Sequence, residues 1–272
     1  MKMFDGKKIR EEVLDELKSK IETMERKPGL AVFCVGDNPV CSKYVSLKKK
    51  VADRIGVNFY DYSFDIDNTQ EEIVAKIKEL NENDAVDGIM VQMPIPDKFD
   101  KLEIVNTISR DKDVDGLLFC CGCKSNFKPP VVLAVLRAIE EAKKLSIGGL
   151  EDKRIVIIGE GFLVGGPLKC HFREQGIEVV SINNINGSVI KQLKSADIII
   201  SAVGKANIVM PEMIKEGVIL IDAGTTEVSG ELRGDIDPAC YEKASYYTPV
   251  PGGIGPVTVA MLFKNLLPSE DN

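Results

Sequence analysis

The sequence predicts an α/β protein of two doubly wound domains. Short apolar runs of strand length alternate with stretches of helical periodicity along most of the 272 residues. The alternation is interrupted by an irregular segment at 117–128 and then begins again. The composition does not change between the two series, so we expect two units of the same architecture.

The first series has the order βαβαβ after an opening helix, which favours a mostly parallel sheet with helices on both faces. Apolar residues recur every three or four positions over 7–24, as on one face of a helix. Thr69 and Glu72 have the spacing of a capping box. The predicted elements are a helix over 7–24, a strand over 29–36, a helix over 41–56, a strand over 57–64, a helix over 69–83 and a strand over 86–93.

The second series repeats this alternation and ends in an apolar helix. Its predicted elements are a helix from 129, a strand over 154–159, a helix over 167–176, a strand over 178–183, a helix near 188–195, strands over 196–204 and 217–224, and a helix over 257–267. We place the domain boundary near residue 118. The two domains then cover 1–118 and 119–253, and the C-terminal helix within 254–272 is expected to pack back onto the first.

Composition narrows the class of protein. With 44% hydrophobic and 28% charged residues, the chain can bury one large core or two modest ones. The formal net charge of −7 argues against a nucleic-acid or anionic-membrane partner, which would need clustered lysine and arginine. The charged N-terminus lacks the apolar core of a signal peptide, and no run of about 18 apolar residues occurs. We therefore expect a cytoplasmic protein.

The seven cysteines favour reduced thiols over a disulfide framework, because the number is odd and the chain is large enough to fold without cross-links. Cys120 and Cys123 form a CxxC in the sequence FCCGC. A structural zinc needs four ligands, whereas the chain has no second CxxC and a single histidine, His171. We therefore expect no metal and interpret these cysteines as loop thiols, with zinc as the lesser alternative.

A glycine loop opens the first helix of the second unit. Gly159, Gly161 and Gly165 have the spacing GxGxxxG and stand between a predicted strand and a predicted helix. Glycines there permit a tight turn and a close approach of the backbone to a pyrophosphate, and the helix N-terminus favours negative charge. The pattern favours a Rossmann-type dinucleotide-binding domain. The alternative is a plain strand-to-helix turn that binds nothing.

The cofactor itself is left open by the sequence. Glu160, inside the loop, carries the same sign of charge as a phosphate. About 20 residues on, such folds carry an acid for a ribose hydroxyl or a base for a 2′-phosphate. Here the position holds Asn183 and Asn184, so NAD and NADP both stay possible.

The first unit carries five polar residues that could do chemistry. Tyr44 and Lys48 are four residues apart on a predicted helix and therefore share one face. A lysine beside a phenol and away from water can exchange protons near neutral pH, although a solvated face is the commoner meaning of the KKK that begins at Lys48. Gln92 ends a parallel strand, where open α/β sheets bind ligands. Asp113 and Asp115 follow in a loop, where acids are commonly turn formers or caps.

The segment TPVPGGIGPVTVAML at 248–262 is the most unusual in the chain. Proline fixes φ and glycine exposes the backbone, so the segment is stiff in places and open in others. This combination suits a loop that covers a ligand, and favours that function over a plain linker.

Along nearly its whole length the chain resembles the family of bifunctional methylenetetrahydrofolate dehydrogenases and methenyltetrahydrofolate cyclohydrolases. Six segments match that family, and they occur in the same order. The matching segments are YVSLK (44–48), DGIMVQMPIP (87–96), DKDVDG (111–116), the glycine loop through VGGP (164–167), IDAG (221–224) and TPVPGGIGPVTVAML (248–262).

The resemblance implies two reactions of one-carbon metabolism in a cleft between the two domains. A hydride passes from 5,10-methylenetetrahydrofolate to NAD(P), and water opens the methenyl product to 10-formyltetrahydrofolate. The resemblance further implies a folate-binding catalytic first domain, an NAD(P)-binding second domain, a homodimer and a contribution to purine biosynthesis.

The resemblance also implies roles for residues. Lys48 is the key catalytic group, Tyr44 and Gln92 assist it, and Asp115 holds the pterin. The substrate-contacting residues it implies are Val91, Met93, Pro249, Pro251, Gly252 and Gly253. The cofactor-contacting residues it implies are Gly159, Glu160, Gly161, Val164, Gly165 and Thr225.

The sequence departs from the family pattern at two places. After the first glycine of the cofactor loop the family usually has Arg-Ser, whereas this chain has Glu160-Gly161, which weakens the case for NADP. At 125–134 the chain has SNFKPPVVLA in place of PCTPxG, and only Pro130 aligns clearly. Two alternatives therefore stay open: a monofunctional dehydrogenase or cyclohydrolase, and a non-catalytic folate- or nucleotide-binding module.

Overall fold

A computed structural model describes residues 2–120, 125–144, 149–183, 185 and 187–267. In chain order the elements up to the domain junction are β1 (Lys2–Met3), α1 (Gly6–Glu22), β2 (Gly29–Val35), α2 (Pro39–Ile55), β3 (Asn58–Phe64), α3 (Gln70–Asn81), β4 (Gly88–Val91), α4 (Lys101–Thr107) and α5 (Leu117–Cys120). Those that follow are α6 (Pro130–Lys143), β5 (Ile155–Ile158), α7 (Gly165–Glu174), β6 (Val179–Ile182), α8 (Gly187–Ser195), β7 (Ile198–Ser201), β8 (Ile219–Asp222), β9 (Thr226–Val228), β10 (Glu231–Arg233), β11 (Tyr246–Tyr247) and α9 (Ile254–Asn265).

The chain divides by its contacts into two compact units. We call them the N-terminal unit, Glu11–Pro130 with Val259–Asn272, and the C-terminal unit, Met1–Arg10 with Val131–Thr258. This division differs from the predicted boundary near residue 118.

Two sets of contacts account for the difference at the boundary. β1 pairs in parallel with β11, which places the start of the chain in the C-terminal unit. Residues 125–130 belong to the N-terminal unit, where Ser125 Oγ donates a hydrogen bond to Asp113. Neither contact has a signature in the sequence.

Among the described residues, the N-terminal unit contains a parallel sheet of order β3-β2-β4. Every residue of β2 and β4 is buried, as expected for strands covered on both faces. One side of the sheet packs a core on α3 and α4, with Phe33, Ile73, Ile77, Ile89 and Ile104 among its members. Since the strands are parallel, their carboxyl ends share one edge, and this edge carries Gln92.

Among the described residues, the sheet of the C-terminal unit has six parallel strands in the order β1-β11-β8-β7-β5-β6. The chain passes from β5 to β6 on one side and returns to β7 on the other side of β5. Such a reversal opens a crevice outside the carboxyl ends of β5 and β7, which is where open α/β sheets bind ligands.

The predicted series of helices and strands is confirmed in both units, and the capping box of Thr69 and Glu72 is formed. The predictions missed β1, β11 and the β9–β10 hairpin, which are too short to show a period. The segment expected to be irregular at 117–128 begins instead with the one-turn helix α5. The final helix begins at Ile254, three residues before its prediction at 257. In the described part of the chain, no helix combines the length and the apolar character needed to cross a membrane.

The end of α9 is tied to the N-terminal unit by one side chain. Asn265 Nδ2 donates to the carbonyl oxygens of Val114, at 2.8 Å, and of Lys128, at 2.9 Å. These carbonyls flank the loop that carries Asp115.

We expect Asn265→Ala to lower the free energy of unfolding by about 1–3 kcal/mol, because it leaves two part-buried carbonyls without a donor. Urea unfolding followed by circular dichroism measures the change. Lys264→Ala is the matched control, since Lys264 is the exposed neighbour on the same helix. Equal stability of the Asn265→Ala and Lys264→Ala proteins would contradict this role for Asn265.

Candidate active site

The centre of the candidate site in the N-terminal unit is Lys48, on α2. Buried residues such as Val45 and Ala52 fix the packed face of this helix, while Tyr44 stays partly exposed. Lys48 Nζ lies 5.9 Å from the centroid of the Tyr44 ring and 2.6 Å from Gln92 Oε1. The structure therefore brings the three predicted side chains together.

Gln92 is held in one orientation by its own hydrogen bonds. It follows β4 directly, and its backbone N–H donates to the carbonyl of Phe33 at 2.8 Å. Its side-chain Nε2 donates to the carbonyl of Met93 at 2.9 Å. Because the amino end of the amide is occupied, its oxygen is directed to Lys48.

Burial and charge act in opposite directions on Lys48 and Asp115. Burial lowers the pKa of the Lys48 ammonium, and the negative charge of Asp115 opposes that shift. Burial likewise raises the pKa of the Asp115 carboxyl, and the charge of Lys48 opposes it. The net result is a pKa of Lys48 below that of a solvated lysine, so the ammonium releases its proton more readily.

The two acids of the loop have different surroundings. Asp113 is fully buried, and its carboxylate accepts hydrogen bonds from the N–H groups of Leu117, at 3.0 Å, and Leu118, at 2.9 Å, and from Ser125 Oγ, at 3.0 Å. Burial raises the pKa of Asp113 to about 6. Asp113 thus organises the loop and the start of α5, whereas Asp115 is the acid that interacts with Lys48.

The predicted substrate residues Val91 and Met93 also lie at this edge of the sheet. The side chain of Val91 is fully buried in the core, so only its backbone can face a ligand. The carbonyl of Met93 accepts from Gln92 and, at 3.7 Å, from the Cys41 thiol. Cys41 is buried, and its interaction with Lys48 opposes the lowering of the lysine pKa, a role that the sequence pattern did not indicate.

The glycine loop of the C-terminal unit has the geometry of a dinucleotide cradle. A β-carbon at Gly159 would lie 2.6 Å from the carbonyl oxygen of Ala202, and one at Gly165 would lie 1.7 Å from that of Gly159. Neither position can carry a larger residue without moving the backbone. Gly161 is exposed, and Val164, at the N-cap of α7, has no polar side-chain atom with which to cap the helix. These features fit the pyrophosphate of NAD(P), which Gly159, Gly161 and Gly165 would hold.

Glu160 is fixed at the end of β6. Its backbone N–H donates to Asn183 Oδ1 at 3.0 Å, and its carboxylate accepts from Asn183 Nδ2 at 2.8 Å and pairs with Lys169 Nζ at 2.6 Å. The hydrogen bond from Lys169, with smaller contributions from Ser181 and Asn183, lowers the pKa of Glu160 to about 2. The carboxylate is therefore charged at neutral pH. Asn184, the other predicted determinant, lies outside the described residues.

Two buried aspartates hold the turns next to the glycine loop. Asp235 accepts from Ser201 Oγ at 2.8 Å and from the N–H groups of Val203, at 2.7 Å, and Lys205, at 2.8 Å, which shapes the turn after β7. Asp222 accepts from the N–H of Ile236 at 2.9 Å. Sequence reasoning assigned no role to Asp235, because a lone acid after a hairpin has no recognisable pattern.

The proline- and glycine-rich segment is anchored at both ends within the C-terminal unit. Thr248 is buried, and its hydroxyl accepts from the N–H of Asp222 at 2.8 Å. The N–H of Gly6 donates to the carbonyl of Gly252 at 3.0 Å, and Gly252 has a positive φ of 105°. The backbone between Pro249 and Gly253 is thus held in one conformation, while Pro251 itself is exposed.

Thr225 is exposed three residues after the end of β8. A β-carbon at Gly204 would lie 3.6 Å from the carbonyl of Thr225, so this residue stands beside the turn that follows β7. Within the described residues, no group of three or more histidine, cysteine or acidic side chains could hold a metal ion. Cys123 of the predicted CxxC lies outside them.

Two family models match the chain. That of the tetrahydrofolate dehydrogenase/cyclohydrolase catalytic domain matches residues 4–115, and that of the corresponding NAD(P)-binding domain matches residues 131–272.

Known proteins are similar over almost the full length. The bifunctional protein FolD of Halothermothrix orenii is 37% identical over 276 residues, which cover 97% of this chain and 96% of that protein. The crystal structure of the bifunctional enzyme FolD from Campylobacter jejuni has a TM-score of 0.90 and 36% identity, with 98% of this chain and 97% of that chain covered. The Trypanosoma brucei enzyme, solved with NADP and an inhibitor, has a TM-score of 0.87 and 30% identity, with 97% and 95% covered.

The buried Asp222 makes stability depend on pH. Burial, reinforced by the nearby charge of Asp235, raises the pKa of Asp222 from 3.8 to about 7. The folded state therefore holds this proton more tightly than the unfolded chain. The stabilisation is complete below about pH 4 and is lost as the pH rises through about 7.

We expect the stability of the wild type relative to Asp222→Asn to fall by about 2 kcal/mol between pH 5 and pH 8. Urea titrations of both proteins at each pH measure the difference. Glu231→Gln, which removes an exposed carboxylate from β10, controls for net charge. Parallel profiles of the wild type and Asp222→Asn would show that Asp222 is not the titrating group.

Proposed function

This chain belongs to the tetrahydrofolate dehydrogenase/cyclohydrolase family, and from that membership we propose the roles of its residues in two linked reactions. It is a bifunctional enzyme that oxidises 5,10-methylenetetrahydrofolate with NAD(P) and hydrolyses the resulting 5,10-methenyltetrahydrofolate to 10-formyltetrahydrofolate. The observation that carries the proposal is the cluster of Lys48, Gln92, Tyr44 and Asp115 at the carboxyl end of β4.

NAD(P), when bound, supplies the acceptor for the hydride that leaves the methylene carbon. The methenyl product is a cation, and a permanently charged lysine beside it would repel it. Burial lowers the pKa of Lys48, so a neutral amine is accessible near this cation.

In the hydrolysis, a neutral Lys48 amine takes a proton from the water that attacks the methenyl carbon. The bond from this carbon to N5 of the folate then breaks, and the lysine returns the proton to N5. The second proton of the water passes to solvent, and the carbon stays on N10 as a formyl group.

The neighbours of Lys48 position its amine and the substrate. Gln92 accepts from Lys48 Nζ with an amide whose other end is already bonded, so the amine is held in place. The Tyr44 ring forms one wall beside it. The two oxygens of Asp115 suit the adjacent N–H donors of a pterin.

Residues of the C-terminal unit complete the proposal. Pro249, Pro251, Gly252 and Gly253 contact the folate through a loop whose backbone is fixed by Thr248. Val91 and Met93 contribute to the folate site on the N-terminal unit.

The NAD(P) contacts are proposed for the residues of the glycine loop together with Thr225, which would border the nicotinamide. The loop residues are Gly159, Glu160, Gly161, Val164 and Gly165.

Three further expectations are also proposals: a homodimer, a cytoplasmic location and a contribution to purine biosynthesis. The resemblance to the family supports each of them. Against a non-catalytic binding module stands the joint placement of Lys48, Gln92 and Asp115, which ligand binding alone does not require.

We expect the wild type to turn over methylenetetrahydrofolate with at least one of NAD and NADP, and to hydrolyse methenyltetrahydrofolate. Absorbance of the methenyl compound and of the reduced nucleotide follows the two steps separately. Lys48→Met removes the amine at similar length and should lower the hydrolysis rate at least about a hundredfold, as expected for a general acid–base group.

The matched control is Lys49→Met, because Lys49 is the exposed neighbour and lies over Phe59 instead. Hydrolysis by Lys48→Met at the rate of Lys49→Met would refute the assignment. Hydrolysis by the wild type without turnover of either nucleotide would establish a monofunctional cyclohydrolase.

The different surroundings of the two loop acids predict opposite phenotypes at pH 7.5. Asp115→Asn should raise the KM for the folate at least about tenfold, since the amide loses one acceptor for the pterin, and should change stability less than Asp113→Asn does. Asp113→Asn should lower the free energy of unfolding by about 1–3 kcal/mol, because an amide cannot replace a carboxylate that accepts three hydrogen bonds. Steady-state kinetics and urea unfolding of both variants measure the effects. A raised KM in Asp113→Asn together with lower stability in Asp115→Asn would contradict these assignments, because it would make Asp113 the substrate-binding acid and Asp115 the structural one.

A further inference from the structure

We propose that the Glu160 carboxylate selects NAD over NADP, by accepting hydrogen bonds from the hydroxyl groups of the adenosine ribose and by repelling a 2′-phosphate. This inference rests on the proposed use of a dinucleotide by the C-terminal unit. It concerns the ribose end of the nucleotide and requires nothing of the folate site.

The first support is the position of Glu160 in the sheet. In dinucleotide-binding folds an acid at the end of the second strand binds the ribose. Here the second strand is β6, and the residue after it, Asn183, is neutral. The N–H of Gly159 donates to the carbonyl of Ile182 at 2.7 Å, which brings the loop against the end of β6. Glu160 therefore supplies a carboxylate at the position where the strand itself has none.

The second support is the way the carboxylate is held. Asn183 makes two hydrogen bonds to Glu160, one to its backbone N–H and one from its own amide to the carboxylate. Asn183 and Lys169 donate to different oxygens of the carboxylate, Ser181 also interacts with it, and a carboxylate can accept about four hydrogen bonds. Acceptor capacity is left for the ribose, and the orientation of the carboxylate is set before the nucleotide binds.

Lys169 is the cation that a 2′-phosphate would use. Its ammonium already pairs with Glu160 at 2.6 Å, so a phosphate would have to displace that carboxylate or lie beside it. A phosphate near a carboxylate that stays charged is repelled, most strongly at low ionic strength. The pairing with Glu160 therefore neutralises Lys169 and keeps a carboxylate acceptor that suits an unphosphorylated ribose.

The test measures the binding of NADH and NADPH to the whole protein without folate, by nucleotide fluorescence at low salt and by calorimetry. The wild type should bind NADH at least about tenfold more tightly than NADPH. Glu160→Gln should reduce this ratio about tenfold, mainly through tighter binding of NADPH. Glu160→Asp keeps the charge and should keep the preference for NADH.

Glu174→Gln is the control for overall charge, because Glu174 is an exposed acid at the far end of the same helix. Tighter binding of NADPH than of NADH by the wild type would overturn the proposal and favour Lys169 as a 2′-phosphate ligand. An unchanged ratio in Glu160→Gln would also overturn it. Absence of binding of both nucleotides would instead refute the proposed dehydrogenase activity, whereas loss of folate turnover alone leaves these affinities unaffected.

Discussion

The hydrogen bond from Lys48 to Gln92 connects α2 to the end of β4, and the chemistry of the N-terminal unit depends on this contact. The parallel sheet places Gln92 at an edge where side chains of several elements converge. The packed face of the helix sets the direction of Lys48, and the Met93 carbonyl sets that of the Gln92 amide. The cost of burying an ammonium is met partly by Gln92 and partly by the charge of Asp115. A lysine held in this way differs from the solvated lysines that follow it in the chain.

Buried carboxylates perform a second, structural task in both units. Asp113 and Asp235 each accept three hydrogen bonds from backbone or hydroxyl donors, and each shapes a turn at the end of a strand or before a short helix. Turns leave backbone N–H groups without partners, and a buried N–H without an acceptor is costly. The acids therefore stabilise loops that have functional neighbours, and they do so without themselves facing a ligand.

Much of the fold followed from periodicity, because the buried strands and amphipathic helices are long enough to show it. It was harder to distinguish functional residues from structural residues of the same type. Asp113 and Asp115 stand two positions apart in one loop, and no pattern distinguishes the acid that caps a helix from the acid that faces a lysine. The distinction arises from burial and from the turn at Gly116, whose φ is positive. Likewise, the three consecutive lysines 48–50 suggest an exposed helix face in the sequence. Only in the structure does the hydrogen bond to Gln92 distinguish Lys48 from the other two. Glu160 lies in the loop after β5 but contacts Asn183 at the end of β6. Counting residues along the chain to the end of β6 therefore does not identify this acid.

The pairing of β1 with β11 has a consequence for the order in which the molecule can be built. Residues 2–3 lie beside Tyr246 and Tyr247, and Gly6 bonds to the backbone of Gly252. During synthesis residues 2–3 are made long before residues 246–247, so this edge of the sheet cannot close until the chain has been made beyond Tyr247. The N-terminal unit also needs the end of the final helix. Neither unit can therefore be completed from one continuous segment, and contacts this distant in sequence slow folding.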